Sequence, residues 1–242
     1  MVAQIEPPIL PLRLYRYRSL KDDKALVREL KALKDSYIWC SKFTDLNDPM
    51  EGAFRPSSRI DKVNLREVNR LIEGKLSEIG IACFSESYEN EVMWAHYAGS
   101  FCGICIAYDS RRLQRRLDNS TFLVRIAYDE KLPRLGSSEA NNILGSVVEK
   151  LDAPASDALA RQLLSYKKRT WDYEREWRVL DKIGHNNIRG SSKPLRYPLI
   201  TDIYLGSKIK EENRKEILAQ SKSLGFTVHQ MQKRTHEWQV VR

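Results

Sequence analysis

The run Trp171–Leu180, "WDYEREWRVL", sets two glutamates two residues apart between tryptophans. Side chains of an extended strand alternate between its faces. The run therefore predicts a strand over 173–180, with Trp171, Tyr173, Arg175, Trp177 and Val179 on one face. Asp172, Glu174, Glu176 and Arg178 fall on the other. Such a strand either turns its charges to water or lines a cleft with them. In the second case Glu176 serves function, and Glu176→Gln is expected to cost rate rather than stability. Trp171 and Trp177 are expected to be largely buried.

Short units of the same kind fill the chain. "LRLYRYRS" reads as a strand over 12–18, "KDDKALVRELKALKD" as a helix over about 22–34, and "YIWCS" as a strand over 36–40. "FTDLNDPMEG" is a turn: Asp48, Pro49 and Glu51 have helix-capping spacing, but Gly52 and Pro56 leave no room for a long helix. Asn47 and Glu51 are expected to orient the loops around it. "VNLREVNRLIEGKLSEIG" reads as a helix closed by Gly80, and "IACFSES" as a strand. "NEVMWAHYAG" fits a short helix with Asn90 as N-cap and Gly99 just past its end. "GICIAYD" and "TFLVRIAYD" are predicted as neighbouring strands.

Residues 137–168 turn helical, interrupted at Pro154, and read as an insertion or a lid. A polar loop follows over 182–194, then a strand–helix–strand finish through "DIYLG", "KEENRKEILAQSKSLG" and "FTVHQMQ". Strands and helices mix without strict alternation. The expected fold is α+β, a mixed, mainly antiparallel sheet core with helical insertions, in a single domain over 1–242.

Lys and Arg outnumber Asp and Glu by 41 to 32, a net charge of +9. That excess suits a polyanion or simply a soluble basic surface. "RRLQRR" (111–116) is its tightest cluster. The longest apolar runs fall far short of a bilayer span, and the N-terminus has no basic segment ahead of a long apolar core. A cytoplasmic location without a membrane partner is expected. Of the four cysteines at 40, 83, 102 and 105, only "CGIC" resembles a paired motif, and it has no second pair or nearby His. Reduced thiols and no metal are expected.

Three segments carry residues that a core does not require. In "LYRYRS", Tyr15 and Tyr17 share one strand face and Arg16 and Arg18 the other, a pattern that suits an anionic ligand with a flat ring. The same arginines would also keep an edge strand soluble. In "MWAHYAGSFCGICIAYD", His96 is either a satisfied core histidine or part of a site with Tyr97, and Cys102 is a possible partner for it. Gly99 and Gly103 bracket a turn where backbone can approach a ligand closely. In "EREWR", one carboxylate would stabilise developing positive charge while the other orients or deprotonates a nucleophile.

Taken in order, "LYRYRS", "YIWCSKFTDLNDPMEG", "CFSES" with "NEVMWAHYAGSFCGICIAYD", and "WDYEREWR" resemble a bacterial family known as domain of unknown function 2971, over about residues 12–207. The order also resembles, more remotely, ADP-ribosyltransferases. These carry an Arg or His on a first strand, a helix, a second strand ending in a small hydroxyl residue, and a later Glu, often within ExE. That resemblance implies NAD as substrate, with Arg16 at its phosphates or nicotinamide ribose, Ser41 beside the nicotinamide and Tyr17 stacked on the ring. The first-strand ligand is Arg16 or Tyr17. His96 and Tyr97 join this cofactor-binding set. Glu176 would hold the ribose hydroxyl and stabilise an oxocarbenium-like transition state, and Glu174 would position the acceptor. The implied partner is a protein or nucleic-acid acceptor, or water, in a toxin-like or anti-phage context. Two rivals remain: a nucleic-acid-binding or nucleic-acid-cleaving effector using the +9 charge with His96 and the carboxylates, and a non-catalytic ligand-binding module.

Overall fold

Alternating apolar positions and capping residues mark out most elements. The computed structural model describes residues 8–119, 121–148, 154–182, 191–194, 199–234 and 237–241. Strand β1 (Arg13–Arg18) leads into α1 (Asp23–Lys34), capped by the Asp22 carboxylate accepting the Ala25 amide at 2.8 Å. β2 (Tyr37–Cys40), β3 (Arg55–Pro56) and α2 (Lys62–Ser77) follow, then β4 (Ile79–Ser85). Helix α3 (Glu91–Tyr97) has Asn90 as its N-cap and Gly99, at φ 61°, just past its end. Next come β5 (Ile104–Asp109), α4 (Ser110–Arg116), β6 (Thr121–Arg125), β7 (Ala127–Asp129) and β8 (Arg134–Leu135). Helices α5 (Ser137–Val148) and α6 (Pro154–Leu163) precede β9 (Tyr166–Lys168) and β10 (Glu176–Lys182). The chain closes with β11 (Ser191–Pro194), β12 (Ile200–Leu205), α7 (Glu211–Leu224), β13 (Thr227–Arg234) and β14 (Glu237–Val241).

Eight strands form one sheet in the order β14-β13-β12-β5-β1-β4-β10-β6, antiparallel throughout except for β12 and β13. This is the mixed, mainly antiparallel α+β architecture expected. One face packs Leu14, Ile106, Phe84, Trp177 and Val179 beneath α1, α4 and α7, through Leu33, Leu113 and Ile217. The other face is divided. Over β4 and β10, helices α2, α5 and α6 cover Ile81 and Leu180. Over β1, β5 and β12, helix α3 covers Tyr15, Tyr17, Cys105 and Tyr204 through Met93 and Trp94. The helical segment 137–168 thus builds one wall of this divided face.

Five expectations need correction. Residues 173–180 are not one strand: 169–174 form a 3-10 turn, Arg175 is left-handed at φ 43°, and β10 begins at Glu176. The cause is the neighbouring strand, because Glu176 pairs with Ser85, the last residue of β4. The residues before Glu176 have no ladder partner there, and the turn is tied down instead by Ser85 Oγ donating to the Glu174 carbonyl (2.8 Å) and Asn90 Nδ2 to that of Tyr173 (2.8 Å). In consequence Trp171 is only half-buried, whereas Trp177 is 3% exposed. Gly80 lies within β4 rather than closing α2, which ends at Ser77 with Glu78 as its cap. The strands of "GICIAYD" and "TFLVR" are not neighbours: β5 lies between β12 and β1, and β6 is an edge strand on β10. The end of the predicted polar loop is not loop: 191–194 form β11, antiparallel to β2, while 183–190 of that loop and residues 1–7 lie outside the described residues.

Candidate functional site

Strands β1 and β4 share a single pair, Tyr15 with Ser85, and then diverge. Their divergence opens the sheet at its centre, between the two helical packs of the divided face. A cleft of about 600 Å³ lies there, within the range of small-molecule sites. Arg16, Tyr17 and Ser41 line it from one side, with Cys83 and Phe84 of β4. His96, Tyr97, Lys167, Glu174 and Glu176 line the rest. All seven residues singled out in the sequence therefore meet in one cavity.

Their situations differ. Arg16 is 8% exposed, donates one hydrogen bond to the Trp39 carbonyl (2.7 Å) and stands over the Phe84 ring at 5.7 Å. No carboxylate among the described residues pairs with it, and burial, with Arg18 nearby, lowers its pKa. Arg18, by contrast, is paired with Glu29 (2.5 Å). The Tyr17 hydroxyl is committed to the Ser87 carbonyl (2.9 Å), and its ring meets Trp94 edge-on at 5.4 Å. Ser41 is fixed by a reciprocal backbone bridge to Ile81, 2.8 Å each way. His96 is not a core histidine. It is exposed at the mouth, with Nδ1 3.5 Å from the Tyr173 hydroxyl, so it is no base for Cys102 that the contacts reveal. Gly103 does approach backbone closely, but the backbone is the protein's own: a Cβ there would meet the Arg18 carbonyl oxygen at 2.1 Å.

The floor on the β10 side is a buried ionic network. Lys167 Nζ bonds Glu174 Oε2 at 2.5 Å and Glu176 Oε2 at 2.9 Å. Arg178 donates through Nε to Glu176 (2.7 Å), through both terminal nitrogens to Glu51 (2.5 and 2.8 Å), and to the Leu164 carbonyl (2.7 Å). Burial pushes the Glu176 carboxyl up, but Arg178 and then Lys167 outweigh it and hold the group at about 2. Glu174 goes the other way: burial dominates and Lys167 offsets it only in part, so its pKa is raised. The two glutamates, two residues apart, are thus shifted in opposite directions by their surroundings. The Tyr97 hydroxyl donates to Glu174 Oε1 and accepts from Asn47 Nδ2 at 2.5 Å.

Glu176 and Arg178 share a face, as alternation along the strand requires. Glu174 reaches the same network from the 3-10 turn. Lys167 and Glu51 were not read as site residues. Lys167 stands at the end of the helical segment in a plain "YKKR" context, and Glu51 belongs to a turn whose capping spacing says nothing of a partner 127 residues away.

Residues 93–179 match the family described as Protein of unknown function (DUF2971). The family resemblance read from the ordered motifs holds over that segment. The DUF2971 match is narrower than the 12–207 expected, running from α3 into β10. It takes in Tyr97, Lys167, Glu174, Glu176 and Arg178 and leaves out Arg16, Ser41 and Glu51. No curated protein and no solved structure matches the chain. The likeness to ADP-ribosyltransferases is not shown by these comparisons. No helix among the described residues is long and apolar enough to cross a membrane.

Proposed function

We propose that this protein binds NAD in the central cleft and cleaves its nicotinamide–ribose bond, passing ADP-ribose to a protein or nucleic-acid acceptor or to water. The observation that carries this reading is the polarity of the cleft. On the β1 side stands Arg16, a buried cation with no carboxylate partner among the described residues. On the β10 side the network sets three carboxylates against two cations, leaving one negative charge when all are ionised. NAD has the matching polarity, an anionic pyrophosphate and a cationic nicotinamide riboside.

Bond cleavage develops positive charge on the ribose, and an anion fixed before the reaction stabilises it without reorganising. Glu176 suits that role through its charge rather than through a direct ribose contact. Arg178, Lys167 and the Cys83 thiol already occupy the roughly four lone-pair positions of its carboxylate. Arg16 is the first-strand candidate for the pyrophosphate, since the Tyr17 hydroxyl is committed elsewhere. Tyr97 and His96 lie on the α3 side, where the acceptor would enter.

The test is release of nicotinamide from NAD by the purified protein, with protein and RNA acceptors present or absent. Turnover that falls on the order of 10²–10³-fold in Glu176→Gln, measured on protein shown to be folded, supports the reading. No nicotinamide release, together with no NAD-dependent rise in Tm, ends it.

A further inference from the structure

Glu174 lines the cleft but is only 3% exposed, and both of its carboxylate oxygens already have partners. Its Oε2 is taken by Lys167 (2.5 Å), and its Oε1 accepts from Tyr97, which is half-buried and lines the cleft itself. A tyrosine hydroxyl has one proton to give and two lone pairs to accept with. Glu174 takes the proton and Asn47 Nδ2 occupies one lone pair. The Tyr173 hydroxyl also lies within hydrogen-bonding reach of Tyr97, and an acceptor hydroxyl arriving in the cleft would take its place on the other lone pair.

We propose that Tyr97 and Glu174 form a proton relay that activates the acceptor hydroxyl or water. The acceptor's proton passes to Tyr97 Oη as Tyr97 passes its own to Glu174 Oε1. The identity of the electrophile rests on the NAD reading above. The new bond joins the acceptor oxygen to the anomeric carbon of the ribose. The bond to nicotinamide breaks with its electron pair going to the ring nitrogen, whose positive charge is thereby cancelled. Tyr97 ends neutral, carrying the acceptor's proton, and Glu174 ends as the carboxylic acid and returns its proton to solvent. The two transfers occur together, because burial and then the adjacent Glu174 raise the Tyr97 pKa and disfavour a free phenolate. Lys167, Glu176, Tyr128 and Tyr173 are titratable groups that face this pair, and Lys167 holds the Glu174 carboxylate in place throughout.

The experiment combines two readouts on wild type, Tyr97→Phe and Glu174→Gln, with circular dichroism confirming the fold of each. In protein carrying carbon-13 in its glutamate carboxyls, the Glu174 signal is the one absent from Glu174→Gln. It should titrate above the ordinary carboxylate range in wild type, and higher still in Tyr97→Phe, which loses a hydrogen bond that favours the anion. Nicotinamide release should fall on the order of 10²–10⁴-fold in both variants, the usual worth of general base catalysis. A Glu174 titration that Tyr97→Phe leaves in place overturns the relay. So does release by folded Tyr97→Phe within about twofold of wild type, a change too small for a lost transition-state contact. If wild type releases no nicotinamide, the NAD reading falls, and the titration shift alone then upholds or overturns the pair.

Discussion

Arg16 and Arg178 are both interior arginines, 8% and 0% exposed, on strands separated only by β4, yet the protein treats them differently. Arg178 places all five of its N–H groups: two on Glu51, two on Glu176 and one on the Leu164 carbonyl. Its pKa is raised well above the ordinary value; burial opposes this, and Glu176 and Glu51 outweigh it. Arg16 has one carbonyl and the face of a phenyl ring, and burial lowers its pKa. A buried charge must find compensation or be strongly destabilising. For Arg178 the fold supplies it, whereas Arg16 has, among the described residues, only the Trp39 carbonyl and the Phe84 ring, and it lines both the central cleft and a small cavity shared with Arg18 and Glu29. Arg178 is tied into the fold's ionic network, and under the NAD reading Arg16 is the cation that would meet the ligand's anion.

The sharpest way to break this comparison is to remove the two charges in turn. Arg178→Met leaves Glu51 buried without its cation and Glu176 with Lys167 alone, and should destabilise by about 3–5 kcal/mol, the usual cost of breaking a buried pair. Urea unfolding measures it. An equal loss in Arg16→Met would remove the distinction. A test on the apolar face of the same strand has similar size: Trp177→Ala should cost about 3–5 kcal/mol and half-buried Trp171→Ala clearly less.

The carboxylate side of the network gives the next effect, with a sign that pH reverses. Glu176 is held at about 2 in the folded protein, below its ordinary value, so it contributes stability above that ordinary value and loses it as pH falls toward 2. The shift corresponds to roughly 3 kcal/mol at neutral pH. Glu176→Gln should therefore be less stable than wild type by that order near neutrality, and the gap should close on acidification. This corrects the expectation of an unchanged melting temperature, which treated the strand's charges as independent of the fold. Glu174, with its raised pKa, has the opposite linkage: its ionisation costs stability as pH rises. The stability gap between Glu174→Gln and wild type should then move in favour of the variant as pH rises, when followed by Tm across pH 4–8 in the range where proteins are typically most stable.

Why some of this was legible and some not follows from the range of the interactions. Period-two alternation put Arg16 opposite Tyr17, and Glu176 with Arg178 opposite Trp177, because those faces are decided within one strand. Asn90 and Gly99 marked the ends of α3 for the same local reason. The end of the ladder at Ser85 was not legible, since it depends on where another strand turns away, and so the 3-10 turn at 169–174 was missed. Nor were Lys167 and Glu51, whose partners are set by the packing of α6, β9 and the 48–52 turn onto β10. The seven candidates met in one cavity because β1 and β4 part, which no residue of either strand announces.

The smallest effect tests the other half of the comparison. Arg16→Met keeps the length and apolar stem of the side chain, so it loses one hydrogen bond of about 1 kcal/mol and a ring contact of similar size, while removing the cost of burying a charge. The net change in stability without ligand should lie within about 1 kcal/mol, far below that of Arg178→Met. The difference should appear only with an anion in the cleft. Under the NAD reading, NAD at 100 times its Kd stabilises wild type by about 2.7 kcal/mol. A charge-assisted hydrogen bond to phosphate is worth about 1.5–3 kcal/mol, so at the same NAD concentration the variant should retain only about 0.3–1.3 kcal/mol. Thermal unfolding of both proteins with and without NAD measures this. Equal stabilisation of the two by NAD would mean that Arg16 does not touch the anion, and its thin set of partners would then be a cost that the fold tolerates rather than one that a ligand relieves.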